Sequence, residues 1–208
     1  MRQTIINGYK PTNDFTGKDW IRSKHRTDLL HLGIIEHIKT IITNFNDKYY
    51  AKIEFGVKDP IVNTKGSMSI DIVIFNKEDD SIKLLIPFKQ FCCNANQNMG
   101  NYLNGYISEQ FRIRMGGCEA PIVFLTVLSN NTPYFKDGGL FDKWEINPYR
   151  DISEYKHLLK SDLHFSKITY DLQGETPVDK KSLYDNIESY LTNIKTDNFD
   201  ATIRSILH

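Results

Sequence analysis

Two charged side chains, Asp71 and Lys89, stand in apolar runs that otherwise have the composition of buried strands, Ser69–Phe75 and Lys83–Lys89. A buried carboxylate is costly unless a cation or a hydrogen-bond donor accompanies it, so the two residues are candidates for one site. The carboxylate of Asp71 would bind Mg²⁺, which lowers the pKa of a bound water and neutralises charge on a phosphate. Lys89 would orient the attacking water or stabilise the same charge.

Strand alternation indicates how these charges could meet. It places Asp71 on one face with Val73 and Phe75, and it places Lys89 on one face with Pro87. Opposed side chains of antiparallel neighbours lie about 5 Å apart, so Asp71 and Lys89 meet only if the register brings them level. The alternative from spacing alone is a structural Asp–Lys contact, or two solvent-facing charges on a half-exposed sheet.

Four segments upstream of residue 92 have the patterns of regular secondary structure. Residues 28–45 have apolar side chains at helical spacing, and residues 50–58 alternate as a half-buried strand does. Strands at 68–75 and 82–91 follow, joined by a short polar connection. Three successive strands with short connections predict an antiparallel meander.

The next two segments predict a crossover. Residues 98–115 have helical spacing and are followed by two glycines, which end helices. Residues 121–128 form an uncharged apolar run that is typical of a buried strand. Because a helix separates this strand from the third one, we expect the two strands to be parallel. Farther on, the pattern predicts a short helix at 152–160, a strand at 165–172 and a helix at 180–195.

This order of elements predicts an α/β fold with a mixed central sheet flanked by helices. At 208 residues we expect one domain, residues 1–208, with a core at about 28–128 and a C-terminal β-α extension at about 129–208. No run of 18 apolar residues exists, so no membrane span is expected. Three cysteines without metal-type spacing and a polar N-terminus favour a cytoplasmic protein with reduced thiols. Six histidines show no ligand spacing of the HExxH kind, so no zinc site is predicted.

Charge is unevenly distributed although the net charge is zero. Residues 1–118 have 16 Lys and Arg against 12 Asp and Glu, whereas residues 119–208 have 10 against 14. Basic residues cluster early, and two arginines, Arg112 and Arg114, stand near the end of the 98–115 helix. Such a distribution can set a basic face against phosphates, and an ordinary mixed surface explains it equally well. The early cluster comprises Lys18, Arg22, Lys24 and Arg26.

The element order and the two charged strands together resemble the PD-(D/E)xK nuclease superfamily, the restriction-endonuclease-like fold. Its core is α-β-β-β-α-β, with an aspartate on the second strand and an acid-x-Lys tripeptide on the third. Here residues 66–74, Gly-Ser-Met-Ser-Ile-Asp-Ile-Val-Ile, are similar to the first motif, and residues 84–89, Leu-Leu-Ile-Pro-Phe-Lys, are similar to the second. The resemblance covers about residues 28–128. It implies Mg²⁺-dependent cleavage of double-stranded DNA, as by a type II restriction endonuclease, with Asp71 as metal ligand and Lys89 as the catalytic cation.

The chain departs from that pattern at Pro87, which stands where the second acid is expected and cannot bind a metal. A proline there also removes a ladder hydrogen bond, which argues for an edge or a bulge. Three residues are candidates for the missing carboxylate: Glu109 on the polar side of the 98–115 helix, Glu54 on the first strand and Glu36 on the first helix. For each of them a surface role is the competing interpretation.

The resemblance also bears on partners. Candidate contacts with the DNA backbone are Arg22, Lys24, Arg26, Arg112 and Arg114, although the helix dipole alone also favours arginines near a helix C-terminus. Restriction enzymes often dimerise on palindromic sites, so by analogy a homodimer is a candidate assembly. The alternative function is a catalytically impaired relative that binds DNA or a partner protein. A third interpretation has neither role, and Asp71 and Lys89 then form a plain ion pair.

Overall fold

The computed structural model describes residues 1–9, 24–60, 66–146 and 163–208, without the side chains of 24–26, 96–99, 102 and 103. The short helix predicted at 152–160 and the residue Arg22 lie outside the described residues. None of the helices in the described ranges is long and apolar enough to cross a membrane.

A mixed sheet of seven strands forms the centre of the molecule, and strands β6 and β7 form a separate hairpin. The sheet order is β1-β2-β3-β5-β8-β9, with β4 also paired to β5. The strands are β1 (Tyr49–Lys58), β2 (Ser67–Asn76), β3 (Ile82–Ile86), β4 (Phe88–Phe91), β5 (Ile122–Ser129), β6 (Asn131–Phe135), β7 (Phe141–Ile146), β8 (Leu163–Leu172) and β9 (Leu191–Lys195).

Helices flank the sheet, and each face has its own apolar core. The α2-side core includes Leu30, Ile34 and Ile38, and the α4-side core includes Tyr106 and Ile113. The α/β class with a mixed, helix-flanked sheet is thereby confirmed. The helices are α1 (Arg2–Tyr9), α2 (Lys24–Ile41), α3 (Phe45–Lys48), α4 (Ala95–Met115), α5 (Lys180–Asp185), α6 (Ile187–Tyr190) and α7 (Asp197–Leu207).

The predicted meander and crossover are both present. β1 pairs with β2 and β2 pairs with β3, each antiparallel. After α4, β5 runs parallel to β3 and β4. β8 pairs directly with β5, also parallel, so the C-terminal strands extend the same sheet.

Several predicted boundaries are wrong, each for a local reason. The strand predicted at 82–91 is two strands, because Pro87 has no N–H to continue the ladder. The helix predicted at 28–45 ends at Ile41, and Asn44 adopts φ 58°, which an α-helix cannot continue through. The helix predicted at 180–195 is two short helices, α5 and α6, which end at Tyr190. β9 follows, and its backbone completes the edge of the sheet beside β8. Helices α1 and α7 and the β6–β7 hairpin were not predicted.

The C-terminus of α4 lies against the end of β1 through a glycine. A β-carbon at Gly116 would lie 2.0 Å from the carbonyl oxygen of Lys58, a distance that no other residue tolerates without a backbone shift. This close approach fixes α4 over its face of the sheet, and α4 bears Glu109.

Candidate functional site

Asp71 lies where strand β2 separates from its neighbour. The pairing of β2 with β3 runs as far as Ile72 opposite Ile86, and Pro87 follows. Phe88 N–H then donates to Asp71 Oδ2 at 2.6 Å, while β4 pairs with β5 instead of β2. The carboxylate of Asp71 therefore accepts a hydrogen bond from a backbone N–H at the point where the ladder between the two strands ends.

The side-chain alternation of β2 reverses at Asp71. Ile70 packs in the α4-side core and Ile72 in the α2-side core, although residues two apart in a strand normally share a face. The prediction that Asp71 shares the face of Val73 is wrong for this reason. Val73 packs in the α4-side core, whereas Asp71 Oδ1 lies 3.6 Å from Nε2 of His31 on α2.

The side-chain alternation of the adjoining strand, β1, reverses at the residue opposite Asp71. Glu54 lies opposite Asp71, one step from the pair Ile53 with Ile72. Its φ of 51° is in the left-handed region that residues with a β-carbon seldom adopt in a strand. Ile53 packs on the α2 side and Phe55 on the α4 side, so the face changes at Glu54.

His31 occupies the space between these two acids. Its Nδ1 lies 3.7 Å from Glu54 Oε1, and its side chain is only 1% exposed. The ring packs edge-on against Phe88, with the centroids 5.5 Å apart. Burial lowers the pKa of His31, and the charges of Asp71 and Glu54 raise it in partial opposition. We therefore assign a neutral imidazole at neutral pH, with one nitrogen free to accept or to bind a cation.

Lys89 and Glu109 form the second part of the site. Lys89 Nζ lies 3.9 Å from Glu109 Oε1, so α4 places Glu109 beside the strand that bears Lys89. Burial raises the pKa of Glu109, Lys89 lowers it, and the negative charge of Asp71 raises it further. Burial likewise raises the pKa of Asp71, whereas the Phe88 N–H, His31 and Lys89 lower it. The two carboxylates and the lysine thus share one electrostatic environment.

Arg112 fixes α4 at the same end of β1 as Gly116 does, because its partner Asp59 directly follows that strand. Its guanidinium forms an ion pair with Asp59, whose side chain is fully buried, and Nε donates to Asp59 Oδ2 at 3.1 Å. Arg112 is one turn from Glu109 on the same helix, so this ion pair positions Glu109 as well. Arg114 donates to the carbonyls of Cys118 and Ala120 at 2.6 and 2.8 Å. The two arginines of α4 that were proposed as DNA contacts therefore have partners within the chain.

Of the other predicted residues, the structure describes the side chain of Glu36 alone, and it does not bring Glu36 to the site. Glu36 is 69% exposed and pairs with Lys39 on the surface of α2. The side chains of Lys24 and Arg26, like all of Arg22, lie outside the described residues, and their contact with DNA stays a prediction.

Sequence reasoning missed His31 and Asp28. Asp28 and His31 are three residues apart, which places them on one face of a helix. A search for paired histidines does not find a pair made of one histidine and one acid. Glu54, which lies near His31 in the structure, is on strand β1 and far from both residues in the sequence. The usable signal was a polar pair interrupting the apolar stripe of Leu30 and Ile34.

The raised pKa of Asp71 predicts a pH-dependent stability difference. Between the ordinary pKa of an aspartate and the raised pKa of Asp71, the folded chain binds more protons than the unfolded chain. The Asp71 contribution to stability is therefore full at acid pH and is lost as the pH rises through this window. An asparagine at this position does not titrate, so Asp71→Asn does not lose stability in this way. In EDTA, the free energy of unfolding of Asp71→Asn minus that of the wild type should therefore increase as the pH rises. Urea unfolding at a series of pH values measures the difference, and a difference that shrinks with pH would contradict the burial of Asp71.

Comparison of the chain with protein-family models, with curated proteins and with solved structures finds no match.

Proposed function

We propose that the protein is a Mg²⁺-dependent endodeoxyribonuclease of the type II restriction kind, which hydrolyses phosphodiester bonds in duplex DNA on a restriction-endonuclease-like core. The observation that carries the proposal is the geometry where β2 and β4 separate: Phe88 N–H donates to Asp71 Oδ2 at 2.6 Å, and Nζ of the next residue, Lys89, lies 3.9 Å from Glu109 Oε1. The order α2-α3-β1-β2-β3/β4-α4-β5, in which α3 is a single turn before β1, supports it.

The donor set of this site suits Mg²⁺. Asp71 and Glu109 offer carboxylate oxygens, the ligands that Mg²⁺ prefers. The charge of Asp71 raises the pKa of Glu109, so the two acids repel each other and a divalent cation would relieve that repulsion. A bound Mg²⁺ would supply an acidified water and neutralise phosphate charge. In this assignment Glu109, from the helix, replaces the acid that Pro87 lacks.

The protein's own groups have separate roles in this proposal. Phe88 N–H orients the Asp71 carboxylate, which would otherwise rotate freely at the end of the ladder. Lys89, with its side chain 45% exposed, can reach a phosphate oxygen or the attacking water while it remains near Glu109. Arg112 and Asp59 hold the helix that presents Glu109.

Lys89→Met should reduce the rate of DNA cleavage by roughly 10²–10³-fold, the range for loss of one preorganised charge-stabilising group. Mg²⁺ binding, measured by calorimetry, should persist because Lys89 is not a ligand. Lys83→Met, on the preceding strand, is the control and should cleave as the wild type does. Cleavage by Lys89→Met at the wild-type rate would remove Lys89 from the mechanism.

A second function, a DNA- or protein-binding module without catalysis, is favoured by Pro87 alone. Calorimetry separates it from the first. Absence of Mg²⁺ binding together with salt-dependent binding of duplex DNA would support the module. Metal binding that Glu109→Gln weakens and Glu36→Gln leaves unchanged would support the nuclease.

A further inference from the structure

A second group of donor side chains lies beside Asp71, on the α2 side of the sheet. It consists of Asp28 and His31 from one face of α2 and Glu54 from β1. One ligand atom from each residue can be chosen so that all three lie within 4.8 Å of one another. The hydrolytic proposal assigns no role to Asp28 or His31.

The buried atoms of this group lack partners. Nδ1 of His31 belongs to a side chain that is 1% exposed, and it has no hydrogen-bond partner. Its approach to Glu54 Oε1, 3.7 Å, is too long for a hydrogen bond. Oδ1 of Asp28 is also buried without a hydrogen-bond partner. Buried polar atoms are nearly always satisfied in folded proteins, and a cation bound among Asp28, His31 and Glu54 would satisfy both of these atoms.

A carboxylate also lies near the other nitrogen of the imidazole, slightly beyond hydrogen-bond distance. Nε2 of His31 faces Asp71 Oδ1 at 3.6 Å, and Ser69 Oγ donates to the second oxygen of Glu54 at 2.9 Å. A histidine that binds a metal through one nitrogen usually directs the N–H of the other toward a carboxylate or carbonyl. Asp71 favours the tautomer with hydrogen on Nε2, which leaves the lone pair of Nδ1 directed toward Glu54.

We propose that Asp28, His31 and Glu54 form a binding site for a divalent transition-metal ion, separate from the Mg²⁺ site of the proposed nuclease. One imidazole nitrogen and two carboxylates suit Mn²⁺, Fe²⁺ or Zn²⁺. The nitrogen ligand disfavours Mg²⁺, which prefers oxygen donors. The left-handed backbone of Glu54 is consistent with this role, because the reversal of β1 at that residue carries the carboxylate toward α2.

Pulsed electron paramagnetic resonance of the full chain with Mn²⁺ tests the proposal without reference to activity. The wild type should bind Mn²⁺ and show a ¹⁴N coupling from directly bound imidazole, and His31→Gln should lose that coupling. Glu54→Gln, at a partly exposed position, should weaken Mn²⁺ binding at least about 10-fold, since even outer-sphere changes have such effects. Glu36→Gln, an exposed acid on the same helix, is the matched control and should retain both properties.

Two results would overturn the site: folded wild type that binds no Mn²⁺ or binds it without ¹⁴N coupling, and coupling that persists in His31→Gln. If His31→Gln does not fold, Mn²⁺ affinity unchanged by Glu54→Gln would also overturn it. Glu109→Gln keeps this test separate from the proposed function, because it should impair cleavage and retain the ¹⁴N coupling. A chain that never cleaves DNA can still show the coupling, and an active nuclease can lack it.

Discussion

Asp71→Asn should abolish Mg²⁺-dependent cleavage of duplex DNA, with a loss of rate of roughly 10³-fold or more. Loss of one preorganised charge-stabilising group costs roughly 10²–10³-fold, and a metal ligand contributes affinity besides. The substitution retains an oxygen that can accept from Phe88 N–H, so it changes charge with little change in geometry. The substitution also removes the partly buried carboxylate of Asp71, whose pKa burial raises. The variant should therefore be at least as stable as the wild type at neutral pH.

Glu78→Gln is the control for this experiment, because Glu78 is exposed in the turn that follows the same strand. It should cleave as the wild type does. Thermal unfolding of each variant separates a loss of chemistry from a loss of fold. Full cleavage by a folded Asp71→Asn variant would show that Asp71 is not a ligand.

Arg112→Leu should lower the free energy of unfolding by about 3 kcal/mol, the lower end of the range for removing one partner of a buried ion pair. The cost arises because Asp59, with no exposed side-chain surface, loses its ion pair with Arg112. For a chain of this length the melting temperature should fall by roughly 6–12 °C. Asp59→Asn should cost less, since the guanidinium of Arg112 is 25% exposed and can gain water. The double variant with Arg112→Leu and Asp59→Asn should have a higher free energy of unfolding than Arg112→Leu alone.

This series separates the two interpretations of Arg112. A residue that holds α4 affects stability and, through Glu109, metal affinity. A DNA-backbone contact would leave the melting temperature unchanged and weaken DNA binding alone. Arg204→Leu, at an exposed arginine in the last turn of α7, is the control and should leave both quantities near their wild-type values.

The sequence predicted the elements that have a local signal. Alternation and short connections were sufficient for the β1–β2–β3 meander, and Pro87 indicated an edge or a bulge in a third strand that is in fact divided there. Asp71 and Lys89 were identifiable because charges are rare in apolar runs. Glu109 could only be one of three candidates, because its approach to Lys89 depends on how α4 packs, and Gly116 and the Arg112–Asp59 pair determine that packing.

The α2 side of the site was beyond local reasoning. Strict alternation assigns Asp71 to the face of Val73, and only the left-handed backbone at Glu54, with the matching reversal in β2, moves both acids toward His31. A propensity scale assigns no left-handed conformation to a glutamate inside a strand. His31 itself lies in an apolar helical stripe, where a histidine without a second histidine nearby has no recognisable motif.

The most direct test of the proposed function is incubation of the purified chain with unmodified duplex DNA in Mg²⁺ and, in parallel, in EDTA. The nuclease interpretation predicts discrete fragments with Mg²⁺, no cleavage in EDTA, and no cleavage by Asp71→Asn in either condition. Intact DNA in Mg²⁺, across sequence-diverse substrates and with a folded wild-type chain, would contradict it. Cleavage that EDTA does not suppress would contradict the metal dependence on which the assignment of Asp71 and Glu109 rests.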